Sequence, residues 1–229
     1  MSYQRKETIG GATLICGCCE AAMAEMTENQ FELAIVDVPY GLGESKNVRG
    51  GTQYGNAAAV SKDYGVKEWD SSAPEAAYFE HLFRVSKNQI VWGANHFIDR
   101  LPIPSSCWIV WDKMTGNNGY ADCELAWTSF KTAARLYQFQ WSGMLQGNMK
   151  KKEHRIHATQ KPVNLYTWLL KNYAKEGDHI LDTHGGSMSS VIACLDMGFK
   201  ITCYEIDEDY FDAGVRRVEE HVKQLRLPL

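Results

Sequence analysis

His179-Ile180-Leu181-Asp182-Thr183-His184-Gly185-Gly186-Ser187 is a short apolar run that ends in a glycine turn. A stretch with helical character follows from about 188 to 197, and a second apolar run over 200–204 leads into Glu205. Strand, glycine turn, helix and strand together predict a βαβ unit. Glycines in such a turn let a ligand approach the backbone N–H groups at the start of the helix, the layout of a nucleotide-type pocket. An acid about 20 residues beyond the turn, here Glu205, suits the two ribose hydroxyls of a bound adenosine. A structural βαβ unit with Glu205 as a surface acid satisfies the same pattern.

Outward from this unit the pattern repeats. Apolar runs over 12–16, 32–36, 89–92, 107–111 and 124–127, each bounded by turn residues, read as buried strands. Val163, Tyr166, Leu169, Leu170 and Tyr173 form one helical stripe; Tyr210, Phe211, Val215, Val218 and Val222 form another. Strands alternating with helices predict an α/β fold, a mostly parallel sheet with helices on both faces. The 229 residues suit one domain over 1–229. Two polar stretches interrupt the pattern. The first, 41–74, holds Gly41, Gly43, Gly50, Gly51, Gly55 and Gly65 and is expected to be a target-recognition or lid loop. The second, 142–160, holds the basic run Lys150, Lys151, Lys152, His154 and Arg155. It reads either as a solvated loop or as a set of phosphate contacts.

Composition narrows the class. A net charge of −4 argues against nucleic-acid binding by bulk charge, though not against one local basic face. Seven cysteines without regular spacing, and no leader-like N-terminus, predict a reduced, cytoplasmic protein. No apolar run approaches the roughly 20 residues of a membrane span. Cys16, Cys18 and Cys19 have no second ligand pair to complete a zinc site, so no metal is expected. They read instead as the end of a strand and the start of a helix.

Asp37-Val38-Pro39-Tyr40 follows directly on the strand over 31–36. That is the carboxyl end of a strand, where open α/β sheets place their ligands. An exocyclic base amine is a poor nucleophile because its lone pair is conjugated with the ring. Two acceptors on its two N–H groups, the Asp37 carboxylate and the Val38 carbonyl, would favour a more pyramidal nitrogen. Pro39 fixes its own φ and restricts Val38, which pre-orients that carbonyl, and Tyr40 can stack on the base. A plain turn with a solvated aspartate is the simpler reading of the tetrapeptide alone. In the third motif, His157-Ala158-Thr159-Gln160-Lys161-Pro162, Thr159 offers a hydroxyl and Lys161 a charge to an amino-acid carboxylate; a helix start with Pro162 in its first turn would look the same.

Together these stretches resemble the amino-methyltransferases of DNA, in particular the β group that includes bacterial and phage adenine-specific enzymes. The family carries an Asp-Pro-Pro-Tyr tetrapeptide and a Phe-x-Gly-x-Gly cofactor loop, and the β group has this motif order. Gln160-Lys161-Pro162-Val163, Leu181-Asp182 and Tyr204-Glu205-Ile206-Asp207 carry the likeness, as do 108–113 and 124–127. The resemblance implies a Rossmann-like methyltransferase fold with one antiparallel strand and S-adenosylmethionine as cofactor. It also implies double-stranded DNA as substrate and a homodimer that supplies a second set of phosphate contacts. Asp37, Val38, Pro39 and Tyr40 would form the base-amine site. Asp182, His184, Gly186 and Ser187 would line the methionine side of the cofactor, and Glu205 would hold the ribose. Thr159 and Lys161 would sit near the cofactor carboxylate, and Cys18 near its adenine. Lys150, Lys151, Lys152 and Arg155 would meet DNA. The aspartate favours adenine N6 over cytosine N4, whose enzymes more often carry serine there.

Four positions depart from the family pattern. Val38 replaces a proline but keeps the carbonyl, and His184 replaces the loop phenylalanine. Cys18 replaces an aspartate. Met188 stands where a second glycine is expected, so its side chain must point away or crowd the cofactor. Cys18 and Met188 motivate the alternative of a catalytically impaired DNA-binding protein of the same fold. A small-molecule methyltransferase is a third reading.

Overall fold

Alternation along the strands divides the core into two layers, one on each face of a single sheet. The computed structural model describes residues 3–43, 70–101, 104–116, 121–142, 145–150 and 152–225. In chain order the elements are β1 (Tyr3–Ile9), β2 (Ala12–Gly17), α1 (Cys19–Glu25), β3 (Phe31–Asp37), α2 (Ala76–Val85), β4 (Ser86–Trp92), β5 (Ile109–Asp112), β6 (Cys123–Thr128), β7 (Arg135–Gln138), β8 (Trp141–Ser142), β9 (Leu145–Gln146), α3 (Val163–Tyr173), β10 (His179–Asp182), α4 (Ser189–Met197), β11 (Lys200–Glu205) and α5 (Glu208–Leu225). Leu33 and Ile35 of β3, Ile90 and Trp92 of β4, Ile180 of β10 and Ile201 of β11 pack with Leu165, Leu169, Val191 and Phe211 of α3, α4 and α5. The intervening Ala34, Val36, Val91, Leu181 and Tyr204 face Met23 of α1 and Tyr78, Phe79 and Leu82 of α2. A period of two puts successive side chains on opposite faces, so strands apolar at nearly every position need helices on both.

Among the described residues the main sheet has nine strands in the order β1-β2-β11-β10-β3-β4-β6-β5-β7. From β2 through β11, β10 and β3 to β4 all pairings are parallel. The expected antiparallel strand within this sheet is β6, inserted between β4 and β5. Edge strand β1 also runs antiparallel, to β2. Strands β8 and β9 form a separate small hairpin.

The order reverses at β10. From there the sheet runs through β11 to β2 on one side and through β3 to β4 on the other. The crevice outside the carboxyl ends of two strands at such a switch point is where open α/β sheets bind ligands. Asp182 ends β10 and Asp37 ends β3, so the two motifs, far apart in sequence, meet there. Most of the stretch 41–74 lies outside the described residues, as does Lys151. Among the described residues no helix is long and apolar enough to cross a membrane, and no group of three or more His, Cys, Asp or Glu could hold a metal ion.

Candidate active site

Asp37 projects from the last position of β3, and its side chain is 18% exposed. Its two oxygens differ. Oδ1 accepts from the Lys161 ammonium at 2.6 Å and from the Tyr40 hydroxyl at 2.9 Å. No such partner engages Oδ2 among the described residues. Lys161, in the segment that leads into α3, also reaches Glu124 Oε2 at 2.9 Å and the Tyr40 hydroxyl oxygen at 3.1 Å. Glu124 lies on β6 and pairs in addition with Lys113.

The two carboxyls respond oppositely to one environment. Burial pushes Asp37 up; Lys161 pulls it back, Glu124 adds to the rise, and the net direction is upward. Burial also works against ionised Glu124, but Lys161 and Lys113 outweigh it and hold its pKa at about 2. Glu124 has two cations and Asp37 shares one, and that difference decides which carboxyl stays the stronger acid. Burial alone would lower Lys161, but Asp37 and Glu124 reverse the sign and keep it charged.

The turn that carries Tyr40 is held from outside the tetrapeptide. Asp70 is buried, and its Oδ1 accepts the backbone N–H of Tyr40 and of Gly41, both at 2.9 Å. Gly93, just after β4, has a φ of +72°, and a Cβ there would overlap the Tyr40 ring. The exposed His96 stacks on that ring, with centroids 5.1 Å apart and planes 18° apart. Asp70, Gly93, His96, Lys113 and Glu124 had no assigned role in the sequence. The only hint was an acid, Glu124, inside an otherwise apolar strand.

The glycine turn after β10 forms the other half of the crevice. Asp182 is buried; its partners are the Ser190 hydroxyl and the His184 backbone N–H. Burial raises its pKa to about 7. The Gly186 N–H binds Glu205 Oε2 at 2.7 Å, and the Asp207 N–H binds Oε1 at 2.9 Å. A Cβ at Gly185 would sit 2.6 Å from Cys203 Sγ, so the turn packs tightly against β11. His184 pairs through Nδ1 with the Thr183 hydroxyl at 2.9 Å and packs edge-on to Tyr78; burial pushes its pKa down to about 4. Buried His157 packs on Tyr210 and lies against Gly186, and burial followed by Lys161 lowers it to about 4.

Lys161 stands in the Asp37 cluster, where two carboxylates converge on it. Thr159 is exposed and contacts the His157 ring at 3.3 Å. The Ser187 hydroxyl pairs with Ser189, and its carbonyl accepts from Arg217. Cys18 is exposed before α1. Met188 does not crowd the turn: its side chain is fully buried against Gly214 of α5, although its backbone is left-handed at φ 57°. In the basic run Lys150 and Lys152 are exposed. The Arg155 guanidinium lies over the Trp141 ring at 4.5 Å.

Known proteins share this fold. The PvuII DNA methyltransferase (cytosine-N4-specific) superposes with a TM-score of 0.61 at 12% identity, covering 98% of this chain and 96% of that one. TTHA0409 from Thermus thermophilus, in complex with S-adenosyl-L-methionine, gives 0.56 at 15% identity, covering 91% and 95%. The M1.HpyAVI–SAM complex gives 0.53 at 15% identity, covering 90% and 98%. At such identities the likeness establishes the fold, a Rossmann-like methyltransferase. The family itself follows from the sequence match: residues 91–216 fit the model described as DNA methylase. That span exceeds half of the chain and carries Glu124, Lys161, Asp182 and Glu205, and on this match the chain belongs to the DNA methylase family.

Proposed function

We propose that the protein methylates the N6 amine of adenine in double-stranded DNA, with S-adenosylmethionine as donor. One observation carries the reading: Asp37 has Oδ1 fixed by Lys161 and Tyr40, while among the described residues Oδ2 is left without a partner at the switch point of the sheet. The crevice also suits a cationic, adenosine-bearing cofactor. Buried Asp182 has a pKa raised to about 7, and a positive charge beside it would favour its carboxylate. Glu205 already fixes the glycine turn, and each of its oxygens keeps a lone pair for a ribose hydroxyl. Asp182, His184, Gly186 and Glu205 would hold this cofactor. When bound, it supplies a methyl group on a sulfonium, so the N–C bond forms as the S–C bond breaks and a neutral thioether leaves.

The chain's own residues orient the amine. Asp37 Oδ2 accepts one N–H and the Val38 carbonyl the other. As the nitrogen gains positive charge, the carboxylate stabilises it, and Oδ2 takes the departing proton and passes it to water. A duplex base must first leave its stack. Tyr40 would receive it on the ring face that His96 now covers, which is already suited to an aromatic partner. The fully buried Met188 side chain removes one motive for an inactive reading.

The test is incubation with cofactor and unmodified genomic DNA, followed by nucleoside mass spectrometry and modification-sensitive sequencing. N6-methyladenine is expected, absent with Asp37→Ala while cofactor binding persists. N4-methylcytosine would transfer the reading to the other amine of the family, and full activity of Asp37→Ala would refute the role of Asp37.

A further inference from the structure

We propose that Lys161 and Glu124 are positioning residues for methyl transfer: they fix Oδ1 of Asp37 and set its charge, so that Oδ2 meets the base amine as a carboxylate. The inference rests on the role of Asp37 given above.

An ammonium has three donors and no acceptor. Those of Lys161 meet three oxygens, Asp37 Oδ1 at 2.6 Å, Glu124 Oε2 at 2.9 Å and the Tyr40 hydroxyl at 3.1 Å. No donor is left over for a cofactor carboxylate. The Lys161 side chain is 4% exposed, and its charge also lies over the rings of Tyr40 at 5.5 Å and Trp92 at 5.6 Å. A charge so withdrawn from water has to be compensated by the groups around it. Glu124 supplies that compensation and is itself steadied by Lys113. Without Glu124, Lys161 would bear on Asp37 alone and make it a weaker acceptor. Without Lys161, two carboxyls would face each other with no cation between them, and Asp37 would take up a proton. A protonated Asp37 would donate where the reaction needs an acceptor.

The groups that face Asp37 come from every element around it: Tyr40 on its own turn, Glu124 on β6, Lys161 before α3, Tyr166 on α3 and Asp182 on β10. Of these only Lys161 is a cation, so its removal and that of the Glu124 charge must move Asp37 in opposite directions.

The experiment measures kcat and cofactor KM against pH for wild type, Lys161→Met and Glu124→Gln at saturating DNA. A parallel 13C NMR titration follows the Asp37 carboxyl, assigned by Asp37→Asn. Activity requires ionised Asp37, so kcat rises with pH through its pKa. The acid limb is expected to move up by about one pH unit in Lys161→Met and down by a similar amount in Glu124→Gln. Cofactor KM should stay within about two-fold, and kcat of Lys161→Met should fall about 100-fold at neutral pH. Limbs that stay in place or move the same way overturn the proposal. So does a Lys161→Met defect confined to cofactor KM, which would return Lys161 to the cofactor carboxylate. Should Lys161→Met fail to fold by circular dichroism, the direction of the Glu124→Gln displacement decides alone. If wild type methylates no DNA, the proposed function falls, and the NMR titration still decides the positioning role.

Discussion

Met188 holds a left-handed backbone at φ 57° in front of α4, with its side chain sealed against Gly214. A non-glycine residue in that region carries about 1–2 kcal/mol of strain. Burial of the side chain offsets it, since truncating a buried methionine costs about 2–5 kcal/mol. Met188→Gly should therefore destabilise the protein by about 1–3 kcal/mol in urea unfolding, while calorimetry finds cofactor affinity within about two-fold of wild type. A tighter-binding variant would mean that the side chain reaches the cofactor after all. The substitution was visible in the sequence, but its direction was not, because a side chain chooses between crevice and core only when α5 presents a glycine opposite it. Lys161 was hidden for the same kind of reason. A lysine before a helix suits any anion, and the two acids that hold it come from β3 and β6.

At the scale of elements, Gly93 joins the end of β4 to the Tyr40 turn. Its φ of +72° disfavours any side chain, and a Cβ would displace the Tyr40 ring. That shift would draw the hydroxyl away from Asp37 and Lys161. Gly93→Ala should lower kcat about 100-fold, the cost of a misplacement of about 1 Å, with cofactor affinity retained. Unchanged turnover would mean that the ring is not held by this close approach. Seven strands and the helices α3, α4 and α5 were legible from apolar runs and stripes, because each is buried on one or both faces. Edge strand β1 was missed: its YQRKETI shows no apolar run because its outer side needs no core. β7 was missed for a related reason, being only four residues with mostly exposed side chains. Helix α2 does bury Tyr78, Phe79, Leu82 and Val85, a helical spacing that was not singled out in the sequence and that begins just beyond the loop expected over 41–74. The meeting of Asp37 with Asp182 was legible only once both were placed at carboxyl ends of strands, since the switch point depends on strand order and not on sequence distance.

For the whole molecule the problem is charge. A chain of net −4 must hold a polyanion, and its densest basic run is Lys150, Lys151 and Lys152 with Arg155, which lies over the Trp141 ring. The three consecutive lysines are the ones expected to meet phosphates. Three neutralised phosphates give a slope of about −2.7 for log K against log[salt], at about −0.9 each. A homodimer that placed both copies of the run on one duplex would double the slope to about −5. We expect the dimer, because about three phosphate contacts would leave little non-specific grip at physiological salt to retain DNA while a base leaves its stack. Fluorescence anisotropy across a salt series should give the steeper slope, and sedimentation at the same concentrations should give twice the chain mass. Replacing the three lysines by alanine should flatten the slope toward zero without changing the sedimenting species. A steep slope from a sedimenting monomer would place the phosphate contacts elsewhere on the chain, and a shallow slope from a monomer would mean that one copy suffices.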